Sequence, residues 1–313
     1  MKIALITGGT SGIGLATAKI FLENNICTVL VGRNKDKYIE ARKFLKPYIT
    51  KNVFCDFIQS DITSASNCEK IINTVIEKYH GLDILINNAG IYKENAIENV
   101  SEAEFDEIMN TNIKGTYFLC KYAVSHLKKS QHNPAIVNVS SDAGINGNFF
   151  CSAYCASKGA VTIFTKALAL ELAPYNVRAN CVCPGDIDTP LTRNQFAGNE
   201  EEGIKEAALL YPIGRIGKPE EVAEVIYFLA NEKASFVTGA VWSVDGGITA
   251  CWKFYNKKSP WLNQRLFYII FLLYIVSFLK EKSILFEEFY FHLFELLDMV
   301  HLQVWQFLDT CIF

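Results

Sequence analysis

Short apolar runs recur between Met1 and Ala250, and each gives way to a stretch whose apolar positions return every three or four residues. Residues 2–6 read Lys-Ile-Ala-Leu-Ile. A strand covered on both faces needs apolar residues in succession, so this run predicts a buried parallel strand. From Ile13 onward the apolar positions Ile13, Ala16, Ile20 and Phe21 fall on one helix face. Residues 27–31, 81–86, 135–139 and 240–244 predict further strands, and residues 153–172 a long helix that Pro174 ends. Strands alternating with helices predict an α/β fold, a Rossmann-type doubly wound parallel sheet forming a single domain over 1-250.

The pattern changes after Gly247. All 19 glycines lie at or before that residue, and three of the 4 tryptophans lie in 251-313. Residues 266–279 are apolar apart from Ser277, bounded by Arg265 and by Lys280-Glu281-Lys282. That run is shorter than the about 18–20 residues a spanning helix needs. Residues 284–308 mix apolar positions with Glu287, Glu288, Glu295 and Asp298. The segment is expected to be a helical hydrophobic C-terminal extension. It would lie on a membrane, form an oligomer or partner surface, or pack on the domain; packing or membrane association is favoured over spanning.

Composition narrows the classes. The 313 residues carry a net charge of −3 and no basic run, which removes the electrostatic case for nucleic acid. Met1-Lys2 leads straight into a core strand, leaving no room for a signal peptide. The 10 cysteines are irregularly spaced, as expected of reduced thiols in a cytoplasmic protein. Cys151 and Cys155, and the Cys181-Val182-Cys183 pair, lack the spacing and nearby histidines of a structural zinc site, so no metal is expected. The 5 histidines are scattered singly and receive no role.

The first candidate chemistry is Thr7-Gly8-Gly9-Thr10-Ser11-Gly12-Ile13-Gly14, between a predicted strand and a predicted helix. Helix N-termini present free N–H groups and a positive dipole end, which suits a pyrophosphate, and glycines let it approach the backbone. The spacing is Gly-x-x-x-Gly-x-Gly rather than the Gly-x-Gly-x-x-Gly fingerprint. A plain glycine turn would also explain this segment alone. Arg33 follows the second strand, about where a dinucleotide fold reads the adenosine ribose. An arginine cannot accept from a 2′-hydroxyl but can pair with a 2′-phosphate, which favours NADP(H), with NAD(H) still possible. The second candidate is Tyr154-Cys155-Ala156-Ser157-Lys158, a phenol and an ammonium one helical turn apart.

With these residues in view, the chain resembles the short-chain dehydrogenase/reductase family over residues 1–249. Thr7 to Gly14 looks like the family's cofactor loop. Asp61-Ile62 resembles the adenine-contacting pair, and Asn87-Asn88-Ala89-Gly90 the motif after the fourth strand. Asn112, Ser140-Ser141-Asp142-Ala143-Gly144, the Tyr-x-x-x-Lys of Tyr154 and Lys158, Pro184-Gly185-Asp186-Ile187-Asp188-Thr189 and Asp245-Gly246-Gly247 follow in the family's order. The resemblance implies cofactor contacts at Gly8, Thr10, Ser11, Ile13, Gly14, Arg33, Asp61, Ile62, Asn88, Ala89, Gly90, Tyr154, Lys158, Pro184, Gly185, Ile187 and Thr189. It implies catalytic roles for Asn112, Ser141, Tyr154 and Lys158. Tyr154 would be the proton donor and Ser141 would polarise the substrate oxygen. Lys158 would hold the nicotinamide ribose, and Asn112 a water linking Lys158 to solvent. Ser141 is preferred over Ser140 because it stands at the family's offset from Gly144 and Tyr154; Ser140 is expected to bond backbone.

A free tyrosine has a pKa of about 10, too high for acid–base work near neutrality. A lysine charge at about 4 Å is worth about 4 kcal/mol to a phenolate and would lower that pKa by up to about three units. The expected activity is hydride transfer between NADP(H) and a carbonyl or alcohol. Residues 212–223 look like members that reduce 3-oxoacyl carriers or oxidise glucose. A 3-oxoacyl thioester reductase, a sugar or other secondary-alcohol dehydrogenase, and a non-catalytic nucleotide-binding or membrane-anchored scaffold are the three readings; the complete catalytic set argues against the last. The resemblance also implies a homo-oligomer, dimer or tetramer. Phe149-Phe150 and residues 191–211 are expected to border the substrate pocket, the latter as a mobile lid or a plain surface excursion.

Overall fold

The apolar runs become a seven-stranded, wholly parallel sheet, here described from a computed structural model that covers residues 1–251. Its strands are β1 (Lys2–Thr7), β2 (Ile26–Gly32), β3 (Cys55–Gln59), β4 (Ile84–Asn87), β5 (Ala135–Val139), β6 (Arg178–Pro184) and β7 (Val241–Val244), in the order β3-β2-β1-β4-β5-β6-β7. Ile3, Ala4, Leu5 and Ile6 are buried in succession, as a strand covered on both faces requires. The helices are α1 (Gly12–Glu23), α2 (Lys35–Leu45), α3 (Ala65–Tyr79), α4 (Glu102–Met109), α5 (Gly115–Leu127), α6 (Ser152–Leu172), α7 (Pro190–Arg193), α8 (Glu200–Ala208) and α9 (Pro219–Ala230). Helix α1 packs on α9 and α3 on α5. The expectations placed on 251-313 lie outside the described residues, apart from Cys251. Among the described residues no helix is long and apolar enough to cross a membrane.

Strand order reverses between β1 and β4: β2 and β3 lie beyond β1, and β5 to β7 beyond β4. Connections leaving the two strands part to opposite sides, opening a crevice at their C-terminal ends, the usual ligand position in such sheets. The register Leu5↔Leu85 and Ile6↔Ile86 brings those ends level. A buried polar chain then ties the sheet to α6. Asn87 Nδ2 donates to Asn138 Oδ1 (2.8 Å), and Asn138 Nδ2 to Thr165 Oγ1 (2.9 Å).

Two local outcomes differ from the pattern-based expectation, and the segment 191–211 proves structured. The strand expected over 81–86 begins at Ile84, and Asp83 serves as a fastener instead. Its carboxylate accepts the Ile3 N–H (2.8 Å) and the Ser130 hydroxyl (2.5 Å), pinning the start of β1. Between α4 and α5 the helix widens into a π-helical turn, Asn110–Lys114, which no apolar periodicity signals. The segment 191–211 contains α7, a 3-10 turn Asn194–Phe196 and α8. Arg193 anchors it through two bonds to Asp188 (2.6 and 2.9 Å) and a longer one to Glu201 (3.4 Å).

Candidate active site

Six strand ends deliver the candidate residues to one edge of the sheet. Gly8 follows β1, Arg33 follows β2, Asp61 and Ile62 follow β3, Asn88 follows β4, Ser141 follows β5 and Gly185 follows β6. The crevice therefore has a β1–β4 half and a β5–β6 half.

The β1–β4 half is made largely of backbone. Thr7 Oγ1 accepts the N–H groups of Asn88 and Ala89, each at 3.0 Å. Asn88 Nδ2 in turn donates to the carbonyls of Thr7 (3.0 Å) and Gly8 (3.2 Å), so the Asn88-Ala89-Gly90 segment clamps the glycine loop. A side chain at Gly14 would overlap the Gly8 carbonyl and come within 2.6 Å of Asn88 Nδ2. Gly12 joins the expected contacts. It adopts φ +52°, and a Cβ there would lie 3.0 Å from Thr189 Cγ2, so it is where the loop meets the segment after β6. The third glycine of the motif was the available signal.

The residues fit a dinucleotide. Ser11 makes no side-chain cap to α1, and the first turn of α1 holds no acidic residue. Asn34 caps α2 and Ser101 caps α4, both with acidic first turns, whereas α3 and α6 begin, like α1, with neither. The leading N–H groups of α1 are thus left for an anion, where the helix dipole favours one. Arg33 is exposed at the end of β2, and its carbonyl accepts from Gln59 Nε2 (3.0 Å). Asp61 Oδ1 accepts the Thr63 N–H (2.9 Å), and Ile62 is buried. On the far side Pro184 ends β6, Ile187 bridges to Gly217, and Thr189 caps α7.

The β5–β6 half is made of buried side chains. Asn112, Lys158, Ser141 and Tyr154 are 1%, 4%, 8% and 8% exposed. The π-helical turn aims Asn112 inward, where its Oδ1 accepts the Ile91 N–H (2.9 Å). Its Nδ2 donates to the Ile91 carbonyl (3.0 Å) and to Ser157 Oγ (3.0 Å). Ser157, unmarked in the sequence reading, thereby joins Asn112 to α6. Lys158 Nζ donates to the Val139 carbonyl (2.9 Å) and lies 5.8 Å from the Tyr154 ring centre. A Cβ on Gly90 would come within 3.3 Å of that Nζ, so the ammonium looks across the crevice at the other half. Ser141 donates to Asp142 Oδ1 (2.7 Å) and accepts the Ala143 N–H (3.2 Å). Ser140 turns away and donates to the Lys158 carbonyl (2.8 Å), with Thr162 Oγ1 also at 2.8 Å.

Tyr92 packs edge-on against Tyr154, ring centres 4.9 Å apart, and its hydroxyl meets Glu94 (2.9 Å) and the Cys151 thiol (3.1 Å). The Tyr211 hydroxyl accepts the Asp186 N–H (2.5 Å). Neither tyrosine carries a sequence motif. Phe149 and Phe150 are exposed; Phe150 is left-handed (φ +56°) and its carbonyl accepts the Asn95 N–H (2.7 Å). The buried Cys181 and Cys183 thiols lie 3.9 Å apart.

Electrostatics depart from expectation. Burial pushes the Tyr154 phenol up, the Ser141 hydroxyl pulls it back, and Asp142, Cys151 and Asp186 push it further up. The expected depression by Lys158 is not among the leading influences on the phenol, where burial comes first. Burial pushes Lys158 itself down to about 8. Asp186 is raised to about 6 by burial and then by the charge of Asp142. The set can present a phenol proton, a serine hydroxyl and an ammonium beside the backbone cradle of the glycine loop.

Known proteins share this plan. Residues 8–249 match the family model described as enoyl-(acyl carrier protein) reductase. The chain is 39% identical over 252 residues to a 3-oxoacyl-[acyl-carrier-protein] reductase of Thermotoga maritima, covering 79% of this chain and 97% of that one. It is 36% identical over 249 residues to L-fucose dehydrogenase of Oryctolagus cuniculus, covering 79% and 84%. The solved structure of ElxO with NADP bound superposes with a TM-score of 0.74 at 36% identity, covering 80% of this chain and 99% of that one. On fold, matched length and identity together, the chain belongs to the short-chain dehydrogenase/reductase family, and it is an oxidoreductase.

Proposed function

We propose that this oxidoreductase uses NADP(H) to interconvert a carbonyl and an alcohol, and that a 3-oxoacyl thioester is its leading substrate class. When bound, the nicotinamide supplies or takes up the hydride. The observation that carries the reading is Lys158 facing Gly90 at the seam between the glycine-loop half and the Ser141–Tyr154 half. Lys158 gives one proton to Val139 and keeps two donors for the ribose hydroxyls. Tyr154 gives its proton to the carbonyl oxygen as that oxygen becomes an alkoxide, and Ser141 steadies the developing charge. Asn112 holds Ile91 and Ser157 in place, which fixes the start of α6; a water relay from it to solvent belongs to the same proposal. The α1 N-terminus, with Thr10, Ser11 and Ile13, takes the pyrophosphate, and Arg33 pairs with a 2′-phosphate.

The relative from Thermotoga maritima supports the thioester reading. A second reading, oxidation of a sugar, is supported by the fucose dehydrogenase match and by Asp142 and Asp186 near Tyr154, whose carboxylates would accept from sugar hydroxyls. Comparing kcat/KM for a 3-oxoacyl thioester with NADPH against aldoses with NADP tests the choice. A sugar preferred by tenfold or more would replace the first reading with the second. Assembly as a dimer or tetramer in the cytoplasm, with peripheral membrane contact through 251-313, completes the proposal and is supported by the aromatic-rich composition of that segment. Fractionation of the full chain beside one ending at Ala250 tests the membrane contact: it requires the full chain alone to pellet with membranes.

A further inference from the structure

We propose that Tyr92 is a positioning residue for this reaction: its ring, braced at the hydroxyl by Glu94 and Cys151 and along the backbone by Asn112, holds the Tyr154 ring in the orientation from which its hydroxyl reaches the substrate oxygen. The inference rests on the reading of Tyr154 as the acid.

The first turn of α6 fixes where the Cα of Tyr154 stands, but not where its hydroxyl points. That oxygen lies beyond two rotatable bonds, the second with a broad preference, so packing must choose the orientation. The main core does not choose it. Tyr154 belongs to a small separate cluster with Ala143 and Cys151, closed by the half-buried Tyr92 and Cys155. Alanine and cysteine are small and hold a ring loosely. Among the described residues, Tyr92 is the ring that meets Tyr154, at 76° with ring centres 4.9 Å apart. That is the edge-to-face geometry aromatic pairs prefer.

Tyr92 is itself braced. A phenol has one proton to give, and here it goes to Glu94 Oε2 at 2.9 Å. The Cys151 thiol, 3.1 Å from the same oxygen, then donates to it. Cys151 directly precedes α6, so this contact ties the segment after β4 to the start of the helix that carries Tyr154. Just before Tyr92, Asn112 holds both backbone groups of Ile91, accepting its N–H (2.9 Å) and donating to its carbonyl (3.0 Å). Asn112 also donates to Ser157, three residues beyond Tyr154 (3.0 Å). Just after Tyr92, the Asn95 N–H donates to the Phe150 carbonyl (2.7 Å). The segment 91–95 is thus fastened on both sides of Tyr154 in the sequence, at Phe150 and Cys151 before it and through Asn112 at Ser157 after it. The backbone bonds at Ile91 and Asn95 do not need the Tyr92 side chain. Removing that ring therefore leaves the segment fastened and takes away the surface on which Tyr154 rests.

The test uses the full chain and NADPH-dependent reduction of S-acetoacetyl-N-acetylcysteamine, a small 3-oxoacyl thioester. Tyr92→Leu removes the ring, and Tyr92→Phe keeps it. The account expects kcat to fall by about 10²-fold in Tyr92→Leu, the scale of a displacement near 1 Å. The KM for NADPH should be little changed, and Tyr92→Phe should restore most of the kcat. The heavy-water isotope effect on kcat should grow in Tyr92→Leu, because delivery of the Tyr154 proton becomes the slow step. A wild-type kcat in Tyr92→Leu, or an equal loss in Tyr92→Phe, overturns the proposal. So does a fall in kcat with an unchanged isotope effect and weakened NADPH binding, which marks a merely structural role. Crystal structures with NADP bound give a readout that needs no turnover. They should show one Tyr154 ring orientation in the wild type and Tyr92→Phe, and a displaced or split ring in Tyr92→Leu; a single unmoved ring there overturns the proposal. If Tyr92→Leu does not fold, Tyr92→Met takes its place. Tyr154→Phe assayed alongside separates the two claims: full turnover there removes the acid assignment, while the crystal structures still decide whether Tyr92 holds the ring.

Discussion

The two halves of the crevice solve different problems with different materials. On the proposed reading the β1–β4 half receives anionic phosphates with backbone N–H groups and missing side chains, and Arg33 adds one charge at its β2 edge. Asn88 and Thr7 hold the loop by amide and hydroxyl bonds. The β5–β6 half must move a proton. It buries a phenol and an ammonium, and the half-buried carboxylates of Asp142 and Asp186 act on the phenol. Shape is costly to disturb in the first half, and charge in the second.

If that contrast holds, the largest effect belongs to Tyr154→Phe. The ring and its contact with Tyr92 survive, but the proton is lost. Turnover should drop by about 10³–10⁴ with NADPH affinity nearly unchanged. A variant that turns over normally would take the proton out of the β5–β6 half.

Gly14→Ala attacks the other half. The new methyl would overlap the Gly8 carbonyl and crowd Asn88, so the loop must open. NADPH affinity should fall about 100-fold, the scale of a displacement near 1 Å, in titrations monitored by nucleotide fluorescence. Unaltered binding would mean the glycine loop is only a turn.

Ser141→Ala and Ser140→Ala form a matched pair one residue apart. The first should lower kcat by about 10². The second breaks bonds beneath α6, costing about 1 kcal/mol of stability with little change in kcat. The reverse ranking in properly folded variants would reassign the serine.

Lys158→Met separates stability from activity. Because burial lowers Lys158 to about 8, the folded state disfavours its charge. Between that value and the ordinary lysine range near 10.4, the unfolded chain binds more protons, so stability rises with pH across that window and the cost is complete below it. Removing the charge should raise Tm by about 2–4 °C at pH 7, less any cost at the Val139 carbonyl. The gain should shrink as pH climbs past 8, while NADPH turnover falls. A variant destabilised at every pH would show that the ammonium is comfortable where it lies.

Arg33→Asp is the mildest change, made at an exposed edge. It should shift the NADPH-to-NADH preference by about tenfold toward NADH, through one charge-assisted contact. A wild type that already prefers NADH would remove Arg33 from the cofactor reading.

The sequence disclosed the two halves unequally, for physical reasons. Largely apolar runs such as 2–6 and 135–139 can hardly be anything but covered strands, and both formed at those positions. The glycine loop is legible because its demand is for absent side chains, which sequence shows directly; the contact of Gly12 with Thr189 is not, because it depends on where the segment after β6 lies. The candidate catalytic residues are legible as types and spacing. Their electrostatics are not, because the phenol's environment comes from Asp142, Cys151 and Asp186, whose convergence depends on strand order. The π-helical turn at Asn112 was invisible because one widened turn hardly alters a helical pattern. Asp83 was read as part of a strand because its neighbours are apolar, though its carboxylate is needed at the start of β1.

The most direct measurement of the central claim follows the hydride itself. The full-length protein is incubated with NADPH deuterated at the transferable nicotinamide position and with a panel of 3-oxoacyl thioesters, aldonolactones and small ketones. The account predicts that deuterium appears on the new carbinol carbon of at least one product, with one NADPH consumed for each alcohol formed. Tight NADPH binding with no deuterium in any product would contradict it, and would leave a nucleotide-binding scaffold in place of an enzyme.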